Sequence, residues 1–447
     1  MKETLFPLPP AEEGADSEPA AGVPRIQSAN RQQVEMRMAA LDDLLPDDHR
    51  ARLVWDMVQG YDLSRFYQRI KAVEGEAGRP AIDPRLLIAV WLYATLEGVT
   101  SARELGRLCE EHLAYQWILG GVSVNYHTLA DFRVDYEQEL DELLTNSVAA
   151  LMSEGLVRLE RTAQDGVRVR ASAGASSFRR KPTLEESLRL AQAAVEQQKA
   201  EREAGSSEPG TPRKRAARAR HARERLERVQ KAMQEVEKVA KRRAKNRESR
   251  RKKRPARAST SDPQARVMKM PDGGFRPAYN GQFTVDMDSR IIVGVDVSNQ
   301  ADQRLLQPMI KQVEGRYGRL MDEHYVDGGF RNNDNVTQLE KKGIEVYSPI
   351  PDAYNRRSDK RPEDIMPSDS AGVRAWKKRM VSEEAKEKYK QRAATVEWAN
   401  ALARNRGLYR LLVRGLKKVR AILLWFALAH NLMQALNLRA AIEKQAA

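Results

Sequence analysis

Three acidic residues stand where a folded chain can offer carboxylates to a ligand. In His324-Tyr325-Val326-Asp327-Gly328-Gly329-Phe330-Arg331, a strand expected over roughly Glu323 to Val326 ends on Asp327. Gly328 and Gly329 are expected to turn the chain away with positive φ, leaving the carboxylate at a sheet edge. An isolated Asp-Gly-Gly is most often only a turn, so its meaning depends on company. Ala163-Gln164-Asp165-Gly166 repeats the arrangement after a strand-like run from Leu156 to Thr162, and Val167-Arg168-Val169 beyond it alternates like an exposed edge strand. The helical stretch Tyr389 to Arg404 supplies a third acid, Glu397, flanked by Trp398. Two hard divalent ions held by such carboxylates activate a water and stabilise the leaving oxygen in an in-line displacement at a phosphodiester. Arg392 lies a turn or slightly more before Glu397 and Arg404 two turns after it, placed to contact a nucleic-acid backbone near the reacting phosphate. Trp398 offers a face to an unpaired base, and is as readily a core residue.

The elements that must position these residues are legible in outline. Residues 1 to about 30 lack periodicity and read as a tail. From about Asp47 the pattern is helical, and Asp83-Pro84 opens an apolar helix running to Tyr93. Short helices follow, separated by tight turns at Gly98 to Ser101 and Asn125 to Thr128. With Arg103, Arg107 and Arg133 on outer faces they suit a helix-turn-helix-like reader or a plain bundle. Strands are expected over Ala265 to Met270, Pro277 to Asp286 and Arg290 to Val297, with Asp288-Ser289 as a hairpin turn. Asp302 caps a helix from Gln303 to Tyr317, and a helix over Asn333 to Lys342 and a strand over Glu345 to Ser348 come after Asp327. Helical periodicity resumes near Glu383 after an irregular basic stretch containing Asn355-Arg356-Arg357. This order is a mixed α/β layout, with an antiparallel hairpin beside parallel crossovers.

Charge is unevenly spread. Between Arg179 and Thr260 there are 27 Lys or Arg against 11 Asp or Glu, so this segment carries essentially all of the net +15. Leu184, Leu188, Ala191 and Val195, then Leu226, Val229, Met233, Val236 and Ala240, form two narrow apolar stripes. The Gly and Pro residues from Gly205 to Pro212 break the helix between them, giving an antiparallel helical hairpin. Lys241-Arg242-Arg243 and Arg250-Arg251-Lys252-Lys253-Arg254 have no apolar partners and read as a phosphate-binding arm. One cysteine and six histidines exclude a disulfide framework and disfavour a transition-metal site. No apolar run is expected to span a bilayer, and no basic start precedes an apolar core, so a cytoplasmic location is expected. Asp286, Asp288 and Asp296 read as strand-end or turn residues, and His430 as a packed one.

Taken as an ordered set, Ala163-Gln164-Asp165-Gly166, Tyr325-Val326-Asp327-Gly328-Gly329-Phe330 and Val396-Glu397 resemble the bacterial insertion-sequence transposases of the Asp-Asp-Glu class. The resemblance is to the branch marked by a Tyr-Arg-Glu-Lys signature, with Tyr389, Arg392 and Glu397 in place and Arg404 where the lysine stands. Four residues separate Arg392 from Glu397 where the signature has three. The resemblance implies an RNase H-like mixed five-stranded sheet over residues 151–178 and 261–440, a helical DNA-binding domain over 46–150 after a tail over 1–45, and the basic hairpin over 179–260 as an insertion. It implies Asp165, Asp327 and Glu397 as catalytic ligands of two Mg²⁺, with Mn²⁺ as a substitute. Transposon-end and target DNA are the implied partners, with a homodimer in the synaptic complex and DNA contacts from Tyr389, Arg392, Trp398, Arg404 and the arm. A nuclease without strand transfer and a DNA-binding regulator remain the alternatives. Deleting residues 179–260 is expected to flatten the salt dependence of DNA affinity. An unchanged slope in a salt titration would remove the arm from the DNA-binding surface.

Overall fold

The computed structural model describes residues 32, 38–72, 75, 80–203, 212–245, 255–300, 302–350 and 364–446. The expected tail over residues 1–30, Asn355-Arg356-Arg357 and Arg250-Arg251-Lys252-Lys253-Arg254 lie outside the described residues. Residues from Leu41 onward pack as one unit.

Seven helices come first: α1 (Arg50–Gln59), α2 (Ser64–Tyr67), α3 (Pro84–Leu96), α4 (Ala102–Glu111), α5 (Leu113–Leu119), α6 (Tyr126–Asp135) and α7 (Glu137–Ser153). Five of them start on side-chain caps, α2 and α7 excepted: the Asp83 carboxylate accepts from Arg85 N at 2.8 Å with Pro84 in the first turn, and Asn125 Oδ1 accepts from Thr128 N at 2.9 Å. α3 is apolar on almost every face and nearly all of it is buried. Arg103 and Arg107 are exposed as expected, but Arg133 is not. It lies one turn after Leu129 and so shares that residue's inward face, where its guanidinium sits 4.4 Å from the Trp91 ring centre and donates to Thr100 O.

The sheet follows. Its strands are β1 (Arg161–Arg170), β2 (Phe178–Arg179), β3 (Ala258–Ser259), β4 (Arg266–Lys269), β5 (Phe275–Asp286), β6 (Ile292–Ser298), β7 (Glu323–Val326) and β8 (Glu345–Tyr347). Six of these form one mixed sheet, ordered β4-β5-β1-β7-β8 with β6 also on β5; β1–β7 and β7–β8 are parallel and the other pairs antiparallel. The expected sheet has five strands; the observed one has six, because the strand expected over Ala265 to Met270 joins it as β4 against the start of β5. The expected break after Asp165 is also absent: β1 is one ten-residue central strand, not a strand followed by an edge. Gly166 belongs there because a Cβ on it would fall 2.5 Å from Gln282 Nε2 and 2.6 Å from Asn280 Oδ1.

β2 and β3 pair as a separate ribbon at the foot of the basic segment, whose helices are α8 (Lys181–Glu203) and α9 (Pro212–Lys245). The seam buries Leu184, Ala191, Val229, Ala232, Val236 and Val239, while Ala240 is exposed, so the α9 stripe sits one residue earlier than the expected one at its end.

The remaining helices are α10 (Leu306–Tyr317), α11 (Asn333–Lys341), α12 (Ala371–Val381), α13 (Glu383–Lys390), α14 (Trp398–Asn405) and α15 (Leu416–Ala446), with a π-helical turn over Ala393–Glu397. α15 is long and apolar enough to cross a membrane, contrary to the expectation from the sequence; 72% of its apolar window is buried inside the protein. It joins the helices to the sheet. Trp425 donates to Arg133 O at 2.9 Å, Phe426 packs on Phe283 of β5, and Arg420 pairs with Glu137 and Asp141 of α7. Asp141 also pairs with Arg316 of α10.

The segment entering α15 runs beside β1, where Arg170 N donates to Tyr409 O at 3.1 Å and Leu411 N to Arg170 O at 2.8 Å. Gly407 makes this path, with φ +86° and space for no Cβ: one would fall 2.4 Å from Thr100 Cγ2. G407A is expected to cost about 2 kcal/mol by denaturant unfolding, from the left-handed backbone and the clash together. T100S, which removes that methyl, should recover part of the loss; if it recovers none, the contact is not the cause.

A candidate active site where β1 and β7 diverge

The β1–β7 register runs from Arg161 beside Glu323 to Gln164 beside Val326. One residue further, the same offset sets Asp165 beside Asp327, where β7 stops and β1 continues on β5 alone. Two carboxylates therefore leave adjacent parallel strands together. Asp327 Oδ1 accepts from Gly329 N at 2.8 Å. Neither Gly328 nor Gly329 has the positive φ expected of it; the value of Gly329 is smallness, since a Cβ there would lie 3.0 Å from Asp327 Oδ1. Phe330 is fully buried, and Arg331 lies over the Trp376 ring, so that both anchor the turn.

Glu397 ends the π-helical turn. At 3.6 residues per turn, side chains five apart point well away from each other, whereas a π turn bonded i to i+5 brings them into line. The additional residue between Arg392 and Glu397 is thus absorbed by a local widening of the helix, with Ala393 and Ala394 exposed on its outer side. Arg392, only 5% exposed, donates Nη1 to Glu397 Oε1 at 2.8 Å and holds Nη2 3.2 Å from Asp165 Oδ1. Asn400 donates Nδ2 to Asp165 Oδ2 at 3.0 Å, and Asp165 Oδ1 accepts from Gly166 N at 2.8 Å. Asn400 is not among the residues that the sequence singles out. Its signal is an amide three residues after Glu397, on the same helical face.

Burial raises the Asp165 carboxyl above the usual aspartate range; Arg392 opposes that shift, while the negative charges of Asp327 and Glu397 add to it. The Tyr389 hydroxyl, which donates to Val326 O at 3.3 Å, is likewise pushed up by burial and by the same three acids. Asp165, Asp327, Glu397, Arg392 and Tyr389 thus share one electrostatic neighbourhood. Among the described residues no three His, Cys, Asp or Glu side chains converge closely enough to cage an ion. The Arg392 guanidinium fills the space between Asp165 and Glu397. The donor chemistry nevertheless fits a hard divalent cation: all-oxygen carboxylates, one of them raised by burial and by the like charges beside it.

The other expected residues are dispersed. Trp398 is half-buried, its ring centre 5.5 Å from that of His430 and 5.4 Å from the Arg290 guanidinium. Arg404 is exposed at the end of α14. Arg242 and Arg243 are half-buried at the foot of the hairpin rather than fully solvated. Arg243 donates to Pro255 O at 2.6 Å, and Arg242 is lowered by burial and by the charges of Arg266, Arg304 and Arg243. Asp286 accepts from Ser289 N and Leu159 N, Asp288 pairs with Arg161, and Asp296 faces Arg420 at 3.8 Å. His430 is packed, and burial lowers it to about 4.

Asp302 was expected to cap a helix. It instead starts a 3-10 turn and accepts from Arg168, Asn280 and Gln282, forming a polar cluster beneath the site.

A carboxyl raised in the folded state loses stabilising effect as pH climbs from the unfolded value through the folded one. Removing Arg392 raises Asp165 further. R392M is therefore expected to lose about 3 kcal/mol near pH 8 and distinctly less near pH 4, where Asp165 takes up a proton. Denaturant melts at both pH values test this, and an equal loss at each would show that the guanidinium does not balance the acids.

Comparison with known families finds two matches. Residues 39–135 match a transposase domain (DUF772), and residues 354–436 match a transposase DDE domain; the second interval contains Tyr389, Arg392, Glu397 and Arg404. No curated protein and no solved structure matches the chain. With one transposase domain in its N-terminal helices and another around the π-helical turn, the chain is identified as a member of the insertion-sequence DDE transposases.

Proposed function

We propose that this transposase cleaves DNA strands at the ends of its element and joins them to a target, using Asp165, Asp327 and Glu397 as the acids that hold two Mg²⁺ ions. The observation that carries the reading is the placement of Asp165 and Asp327 side by side at the β1–β7 divergence, with Glu397 tied to Asp165 through Arg392. When bound, the ions would neutralise charge at the reacting phosphate and make an attacking hydroxyl available at neutral pH. The chain's own residues do the rest. Asp165 and Asp327 are fixed by strand register, and Asn400 orients Asp165. Arg392 keeps the acids compatible with one another before the cation and the DNA arrive, and its release toward a phosphate leaves their oxygens open to the ion.

The strand path β6-β5-β1-β7-β8, with β1 and β7 parallel at its centre, agrees with an RNase H-like core over residues 151–178 and 261–440. The helices over 46–150 and the basic hairpin over 179–260 are assigned to DNA binding. A homodimer would hold both element ends in one synaptic complex.

D327N and E397Q are each expected to reduce Mg²⁺-dependent nicking of a donor DNA carrying the repeats that flank the gene by about 100-fold or more. Their affinity for that DNA should stay within about threefold of the wild type, since neither acid supplies a phosphate contact. Retained cleavage in either variant would sink the assignment. Strand transfer is read separately, as joining of the cleaved ends to a target plasmid.

A further inference from the structure

The turn between β5 and β6 holds a residue in a conformation that its type disfavours. Arg290 has φ +59°, in the left-handed region where hairpins ordinarily place glycine or asparagine. Its backbone is fixed on both sides: Arg290 N donates to Asp286 O at 2.9 Å, and His430 Nε2 donates to Arg290 O at 2.9 Å. Asp286 is itself locked by Ser289, whose N and Oγ it accepts at 2.9 and 2.6 Å. A strained residue persists when its surroundings over-determine it, and glycine would satisfy this backbone without strain. The turn alone therefore gives no reason for an arginine.

The side chain does. Arg290 is exposed, and its guanidinium lies 5.4 Å from the ring centre of Trp398, the residue after Glu397. Among the described residues it forms no ion pair; the neighbouring Asp288 is taken by Arg161, which also donates to Gln391 Oε1 at 2.9 Å, next to Arg392. The turn is thereby fastened to the helical segment that carries Glu397. An aromatic face steadies a guanidinium without neutralising it, so the charge remains available to an anion.

We propose that Arg290 is a DNA-backbone contact on the rim of the site, a cation held over Trp398 to grip a phosphate flanking the one that reacts. This rests on the reading of Glu397 as part of the active site. It adds a cation from a β-turn to those expected from the C-terminal helices and the basic arm.

The test uses the full-length protein and a short labelled duplex of mixed sequence, with EDTA present, by fluorescence anisotropy between about 50 and 200 mM salt. R290G is expected to bind about fivefold more weakly at the low-salt end, with a slope of log affinity on log salt shallower by about one. R290K, which keeps the charge, should hold the wild-type slope. The thermal midpoint of R290G should equal or exceed that of the wild type, because glycine relieves the left-handed backbone. Wild-type affinity and slope in R290G would overturn the proposal, and so would a loss in R290K as large as in R290G, since charge would then not be the cause. Because no divalent ion is present, either failure leaves the roles of Asp327 and Glu397 standing. Conversely, cleavage surviving in E397Q would overturn those roles without touching the binding result.

Discussion

The site depends on one guanidinium holding two carboxylates that repel each other. Asp165 and Asp327 are forced together by strand register, which a backbone cannot adjust without flipping every side chain on the strand. Glu397, which is exposed, adds a third negative charge beside the largely buried Asp165. Arg392 offsets this from inside, buried and bonded to the two acids that come from different parts of the chain. A buried cation of this kind is favourable only while its partners stay ionised, and Arg392 accordingly opposes the upward shift that burial imposes on Asp165. The π-helical turn arises from the same constraint, because only a widened turn lets Arg392 reach Glu397 across four intervening residues.

The rest of the fold serves to bring that turn over the sheet. The acids lie on β1 and β7, and the guanidinium on a segment more than sixty residues beyond β7, so their meeting requires an anchor on the C-terminal side of Arg392. α15 supplies it. This helix packs on α3 through Trp91 and Trp425, on β5 through Phe426, and binds Ile292 N and O through Asn431. Arg420 and Arg316 converge on Asp141, which ties α15 and α10 to α7. Through Trp91 and Trp425, α3 of the first matched region packs on α15, most of which lies in the second.

Local signals were legible in the sequence and long-range ones were not. Caps at Asp83 and Asn125, β7 at Glu323–Val326 and the hairpin before Ile291 follow from side-chain type and spacing, because the interactions that fix them lie within a few residues. In sequence β1 reads as two pieces because Gly166 imitates a break; its reason for being glycine lies more than a hundred residues away, in Gln282 and Asn280. Arg133 reads as an outer residue for a similar reason. A charged residue is presumed solvated until a distant ring, here Trp91, shows what covers it. The order of the three acids was readable, but neither Asn400 nor the Asp302 cluster was, since both are defined by partners on other elements.

A site built of acids must still admit a polyanion, and this chain separates the two requirements in space. The surplus of positive charge lies in the segment from Arg179 to Thr260, which can attract DNA over a Debye length but cannot place a phosphate among carboxylates. Close to the acids, the cations are few and individually held: Arg392 by Asp165 and Glu397, Arg168 by Asp302, Arg161 by Asp288 and Gln391. Each of these three is already paired and adds no net attraction until a phosphate replaces its partner, whereas Arg290 on the rim is held over Trp398 with no ion pair among the described residues. In the proposed function, such an exchange at Arg392 would link DNA binding to the freeing of Asp165 and Glu397 oxygens for a cation.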